Sequence, residues 1–199
     1  MNILIDELPK SLEIEGIDYP INYDYESCLN IIMAFEDEDL LYDEKIFSIM
    51  LSCLYKKIPT NLQLAIDNAF WFLNGGETQS ENENNYDIPV RLYSFTKDAN
   101  YIYAAFRQTH GINLRSVKMH WWEFIALFMD LGSETSFTNL VNLRKRIKDG
   151  TATKEEKDMA MKMGDIFDLP EYDRRTYEEK MEDYEKEIIW EENSRKVIS

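Results

Sequence analysis

The chain has 199 residues, a length that suits one compact domain with an appendage. Apolar residues make up 44% and aromatic residues 13% of it, enough to form a core, which excludes a wholly disordered chain. With 38 acidic and 22 basic side chains the net charge is −16. Because a surface of this sign repels phosphate groups, nucleic acid is excluded as a partner.

The two cysteines and the hydropathy pattern indicate the cellular compartment of the protein. Cys28 and Cys53 both lie among apolar residues with a helical period, which predicts a reduced, buried pair. The N-terminus lacks the pattern of a secretion signal, and charges interrupt every apolar run before it could span a bilayer. We therefore expect a soluble, cytoplasmic protein with no membrane partner.

A β-hairpin is predicted near the N-terminus. Apolar residues occupy every second position on both sides of Glu15 and Gly16, from Leu12 to Ile21. Pro20 suits an edge strand. Because two strands alone are marginally stable, we expect the hairpin to pack on helices.

Three helices are predicted between residues 25 and 76. The first begins at Tyr25 and is closed by residues 36–39, an acidic run that we expect on the solvated surface. Asp43 is the predicted N-cap of the second. The third is opened by Pro59 and Thr60 and ends at two glycines. The polar, Gly- and Asn-rich residues 75–87 that follow predict a flexible surface loop.

The densest apolar stretch covers residues 98–131 and reads as two helices separated at His110 and Gly111. In the first, one helical stripe carries Ala99, Ile102, Tyr103, Phe106 and His110. In the second, two adjacent stripes carry Val117, Trp121, Phe124, Ile125, Phe128 and Leu131, and Met119, Trp122, Ala126 and Met129. Because a helix that is apolar around most of its circumference is buried, we expect this second helix at the centre of the fold.

Two more helices are predicted before residue 170. Ser133 is the expected cap of the first, whose end carries the basic residues Arg144, Lys145, Arg146 and Lys148. Cations there complement the helix dipole, and a phosphate-binding patch is the alternative. Thr153 and Glu156 form a capping-box pattern that predicts a helix extending to Ile166 and Phe167.

The last segment, residues 171–199, is predicted to be a charged amphipathic helix. A second capping-box pattern starts it at Thr176. Its apolar positions form a narrow seam: Tyr177, Met181, Tyr184 and Ile188. Two interpretations stay open, because the seam either packs on the protein's own core or mediates self-association or partner docking.

No pattern typical of catalysis or of ligand binding is present. The two histidines and the two cysteines are not spaced as metal ligands, and no nucleophile elbow or phosphate-binding loop occurs. His120 is interpreted as an imidazole bonded to a neighbour, with a titrating functional group as the alternative. We expect no catalytic residue, no metal site and no cofactor, so the protein is not predicted to be an enzyme.

The resulting fold prediction is mainly α. We expect a helical bundle of about seven to eight helices with a small N-terminal hairpin and a long C-terminal amphipathic helix. Residues 1–170 would form a single helical domain, and residues 171–199 a charged C-terminal helix or tail.

Several motifs resemble those of the tailed-bacteriophage "gene product fifteen" family. DANYIYAAFRQTHGINL at 98–114 is followed by HWWEFIALFMDL at 120–131. Leu8-Pro9, IDYPIN at 17–22, and Phe70-Trp71-Phe72 before a glycine are also similar. The resemblance covers about residues 6–170, in agreement with the size of one domain.

The resemblance implies a role in phage tail morphogenesis. Family members are encoded close to the major tail and tape-measure genes, which implies a non-enzymatic tail assembly chaperone in the cytoplasm of the bacterial host. Its expected partner is the tape-measure protein, which it would keep soluble until tail-tube subunits polymerise around it. The alternatives are a structural component retained in the finished tail or its connector, and a small enzyme of unrecognised type.

Overall fold

The computed structural model describes residues 2–37, 39–41, 44–77 and 91–169. This part of the chain is mainly helical and carries a two-stranded antiparallel hairpin at its N-terminal end, which confirms the predicted fold class. The predicted helix of residues 171–199 and most of the predicted loop of residues 75–87 lie outside the described residues.

The hairpin forms where the alternating pattern predicts it. Strands β1 (Ser11–Ile14) and β2 (Ile17–Pro20) pair with Ile14 opposite Ile17. Glu15 and Gly16 both have positive φ, 54° and 78°, which is the two-residue turn whose twist matches that of the strands. The side chains of Leu12, Ile14 and Tyr19 are buried in the core, so the hairpin is held by the helices beneath it.

The first half of the chain contains four helical segments. Helix α1 spans Tyr25–Glu36 and is capped by Asp24. A π-helix, Glu44–Leu51, continues into the single turn of α2, Ser52–Leu54. Helix α3 spans Leu62–Leu73. It begins two residues later than predicted, because the side chain of Asn61 accepts a hydrogen bond from the Leu64 amide and caps it there.

The described part of the second half, residues 99–169, contains four α-helices. They are α4 (Ala99–His110), α5 (Trp121–Met129), α6 (Ser136–Lys148) and α7 (Lys154–Met163). Short 3-10 turns, Leu114–Ser116 and Gly164–Ile166, precede α5 and follow α7. The predicted break after α4 is confirmed, since Gly111 has a φ of 68° and ends that helix.

Two predicted helix ends are wrong. Thr135, and not Ser133, caps α6, because the hydroxyl of Thr135 accepts from the Thr138 amide. Helix α7 has the predicted capping box at Thr153 and Glu156 but does not reach Ile166. It stops at Gly164, whose φ of 51° is incompatible with continuing a right-handed helix.

The expectation that α5 is buried around most of its circumference is also wrong. Trp121, Phe124 and Phe128 of the first stripe are buried, and so is Trp122 of the second. In the second stripe Ala126 is exposed and Met129 is 77% exposed. Helix α5 therefore buries one broad aromatic face and leaves the opposite face to solvent.

A buried ion pair joins α6 to the segment that precedes α4. Arg144 and Asp98 are 2% and 1% exposed, and their side chains make two hydrogen bonds, of 2.6 and 3.0 Å. The guanidinium also donates to the carbonyls of Leu92, Ile166 and Phe167. All five of its N–H groups are thus satisfied, and three separate stretches of chain meet at this one side chain.

The acidic run after α1 is not uniformly solvated, which corrects the prediction for Glu36. Its carboxylate accepts from the hydroxyl of Ser94 and from the amides of Phe95 and Thr96. It also pairs with Arg91 at 3.0 Å, and its side chain is only 13% exposed. Residues 91–98 are therefore held from one side by Glu36 and from the other by Arg144.

Arg144→Met should lower the free energy of unfolding by about 3–5 kcal/mol, because it leaves the carboxylate of Asp98 buried without its counter-ion. Urea unfolding followed by circular dichroism measures this. Arg146→Met is the matched control, since Arg146 pairs with Glu156 at a side-chain exposure of 45% and should cost under about 1 kcal/mol. Equal losses in the two variants would contradict the assigned role of Arg144.

Candidate functional site

Residues His120, Trp121 and Trp122, here named the HWW junction, connect three parts of the fold at the start of α5. His120 is the N-cap of α5: its Nδ1 accepts from the Trp122 amide at 3.1 Å. Its Nε2 lies 2.9 Å from the carbonyl oxygen of Pro9. Since Pro9 can only accept at that atom, the proton must be on Nε2. One imidazole thereby fixes both the helix start and the N-terminal segment.

The two indole groups complete the junction by capping α3. Trp122 Nε1 donates to the carbonyl of Phe72, and Trp121 Nε1 donates to that of Leu73, both at 2.8 Å. These carbonyls belong to the last turn of α3, where amides of the helix itself no longer reach them. The Phe72 carbonyl also accepts from the Gly75 amide at 3.1 Å, so the indoles and the following turn together satisfy the end of α3.

Extended backbone adjoins the junction on the other side. The Tyr25 amide donates to the Met119 carbonyl at 3.1 Å, and the Trp121 amide donates to the Tyr23 carbonyl at 2.8 Å. The ring of Tyr23 stacks on His120 with centroids 5.3 Å apart. These bonds fix the first turn of α1 against the start of α5.

A close approach at Gly76 explains why the chain turns where it does after α3. Gly76 has a φ of 84°, and a Cβ built there would lie 2.6 Å from Cη2 of Trp122. A side chain at this position would conflict with both the backbone and the indole. Of the two glycines predicted to end α3, Gly76 is therefore also the residue on which the indole of Trp122 packs.

Beneath the junction the aromatic rings form one contiguous cluster centred on Phe124. Its ring stacks on those of Tyr25, Phe106 and Trp121 with centroids 5.1 to 5.5 Å apart. Phe128 extends the cluster to Tyr93 and Phe137. Such contacts add to ordinary apolar burial, so this cluster is the centre of the core.

A groove of about 550 Å³ runs along the surface of the junction. It is lined by residues 21–26 and 117–120 together with Lys56. Its acidic groups, Asp24 and Glu26, are balanced by Lys56 and Lys118. Both nitrogens of His120 are already bonded, and the Asp24 carboxylate accepts from Ser27. The groove therefore presents no unengaged imidazole or dominant charge with which to bind an ion.

Two further kinds of site, a reactive thiol at Cys28 and a metal centre, are not supported by the described residues. Burial raises the pKa of the Cys28 thiol far above its ordinary value, and the nearby Asp24 adds to the effect, so the thiolate is disfavoured. Among the described residues no three His, Cys, Asp or Glu side chains are grouped to hold a metal ion. The arrangement around His120 supports architecture rather than proton transfer.

The seam residues named from the sequence, Tyr177, Met181, Tyr184 and Ile188, lie outside the described residues. The basic cluster at the end of α6 is not a patch, because Arg144 is buried and Arg146 pairs with Glu156. Lys148 donates to the Arg91 carbonyl at 2.9 Å. The roles of Glu36, Asp98 and Arg144 were missed, since their partners are distant in sequence and no local motif marks them.

Apolar side chains that are more than 70% exposed occur in three places on the described surface, and Ile17, Phe47, Ile58, Leu62 and Leu64 are exposed to a smaller extent. Leu4 and Ile5, in the N-terminal turn, are 86% and 80% exposed. Met129 ends α5, and Met159 and Met161 lie on α7. Single exposed apolar residues are ordinary, but neighbouring ones with this exposure are candidates for contact with another chain segment.

The fold and the HWW junction define a small, mainly helical protein whose aromatic motif has an architectural role. The family described as "Bacteriophage Gp15 protein" matches residues 4–169, and the chain belongs to that family. This confirms the family resemblance carried by the HWW motif. No curated protein and no solved structure matches the chain. Among its described helices, none combines the length and the apolar character needed to cross a bilayer.

Acidification should destabilise the protein through His120. Burial lowers the pKa of this imidazole from its ordinary value of 6.5, although the Pro9 carbonyl opposes the shift. The unfolded chain therefore binds a proton before the folded chain does, and stability decreases as pH falls from about 6.5 to the lower folded pKa. Thermal unfolding between pH 7.5 and 5 measures this.

His120→Asn keeps an N-cap acceptor without a titrating group. Its melting temperature should depend less on pH than that of the wild type over the same range, because the imidazole at position 120 is gone. Identical pH profiles would show that His120 is not the group responsible.

Gly76→Ala should cost about 2–4 kcal/mol, since it combines a left-handed backbone with overlap on Trp122. Gly150→Ala is its matched control, because Gly150 has a φ of 70° but no atom within 4 Å of a built Cβ. The control should cost about 1–2 kcal/mol. Chemical denaturation measures both, and a smaller loss in Gly76→Ala would refute the packing of Trp122 on this glycine.

Proposed function

We propose that this protein is a tail assembly chaperone that binds the tape-measure protein in the cytoplasm of the bacterial host. Membership of the bacteriophage Gp15 family is the observation that carries the proposal. On this proposal the protein is not an enzyme. It acts by covering apolar surface of its partner until tail-tube subunits replace it.

The charge and the exposed residues support this role. A net charge of −16 opposes aggregation of the protein and of complexes in which it covers apolar surface. Leu4 and Ile5 form a protruding apolar pair in a turn closed by Asp6, whose carboxylate accepts from the Asn2 amide. Each would contribute about 1.5–3 kcal/mol if fully buried against a partner. We assign this pair to the binding surface.

Co-expression with the tape-measure protein should increase the soluble yield of that protein, and the two should co-elute. Leu4→Ser with Ile5→Ser should weaken the complex at least about tenfold, as the loss of two buried side chains requires. Isothermal titration of the purified proteins measures the affinity.

The matched control is Glu7→Ser with Lys10→Ser, which removes an exposed ion pair of the same segment and leaves the net charge unchanged. It should bind as the wild type does. Purified proteins that stay separate at micromolar concentration would refute the chaperone proposal.

A structural component of the finished tail or its connector is the other outcome of the test. Mass spectrometry of purified virions distinguishes the two, since a chaperone is absent from the particle and a component is present in stoichiometric copies. Detection in stoichiometric copies would overturn the chaperone proposal in favour of the structural one.

A further inference from the structure

The point at which the chain leaves the described fold is tightly held. Arg144 donates to the carbonyls of Ile166 and Phe167 at 2.8 Å, and Lys97 donates to that of Asp168. These bonds orient the backbone just before residue 169. The segment of residues 171–199 therefore starts from a defined place beside α7.

Next to this exit, α7 presents an apolar row with nothing over it among the described residues. Met159 is 56% exposed, Met163 is half-buried and Ile166 is 47% exposed. Met159 and Met163 are four positions apart, so they lie on one face of α7. Ile166 lies in the 3-10 turn that follows the break at Gly164. We name these three residues the α7 row.

We propose that the C-terminal segment of this chain docks on the α7 row through Tyr177, Met181, Tyr184 and Ile188. The seam has successive spacings of four, three and four, and Met159 and Met163 of the α7 row are spaced by four on one helix. Two helices whose apolar residues repeat in this way pack side by side with their seams facing. The inference does not depend on the tail-assembly role.

The length of the connecting chain permits this docking within one molecule. Tyr177 lies eight positions after Leu169, so the connecting chain spans up to about 26 Å when extended. Helix α7 has 10 residues and is about 15 Å long. The connection can therefore reach either end of α7, so the segment can lie antiparallel or parallel to it.

Hydrogen exchange of the full-length protein tests the docking. Amides of residues 177–188 should be protected in the wild type, and Met159→Glu should increase their exchange at least about tenfold, since it places a charge in the α7 row. The matched control is Met161→Glu, the same change on the opposite side of α7, where the side chain is 74% exposed. It should leave the exchange of residues 177–188 unchanged.

The outcome that overturns the proposal is unprotected amides in the wild type, or equal exchange in the Met159→Glu and Met161→Glu proteins. Because both side chains are exposed, unchanged exchange in α1 and α6 verifies that each variant is folded.

Cross-linking identifies whose segment occupies the row. An amine-reactive reagent should join Lys162 to Lys180 or Lys186. In an equal mixture of ¹⁴N- and ¹⁵N-labelled protein at low micromolar concentration, these cross-links should contain one isotope only. Mixed-isotope cross-links would show that a second copy supplies the segment, and would overturn docking within one chain.

Discussion

The buried ion pair of Arg144 and Asp98 fixes the relative positions of the described segments that follow residue 91. Taking two charges out of water costs several kcal/mol per ion, and only complete hydrogen bonding offsets such a cost. Here the guanidinium satisfies all its N–H groups with one carboxylate and three backbone carbonyls. Because these acceptors come from residues 92–98 and 166–167, α4, α6 and the end of the described chain cannot shift independently.

The HWW junction performs a similar task with neutral groups. His120 joins the start of α5 to Pro9, and the indoles of Trp121 and Trp122 join it to the end of α3. Each bond satisfies a polar group that burial would otherwise leave without a partner. The residue types of the HWW junction are thus explained by the parts of the fold that their hydrogen bonds connect.

The sequence was sufficient for features that depend on local chemistry. Alternation located the hairpin, Gly111 ended α4, and the Thr153 capping box started α7, because each of these needs only neighbouring residues. It was insufficient where a distant group decides the outcome. From its sequence neighbours Glu36 was predicted to be solvated, but its carboxylate is largely buried because it binds the Ser94 hydroxyl and pairs with Arg91. The pattern of α5 overstated its burial, since apolar character alone does not indicate how many sides a helix has covered.

Because Gly76 and Arg91 are each fixed by contacts with the folded core, the number of residues between them can change at little cost in stability. Trp122 packs on one of these residues and Glu36 binds the other, so each end of the connection between them is fixed separately. The entropic cost of joining two fixed points rises only logarithmically with the number of residues between them. A change in the length of this connection should therefore cost little stability, and an affinity tag inserted within it should leave the aromatic cluster intact.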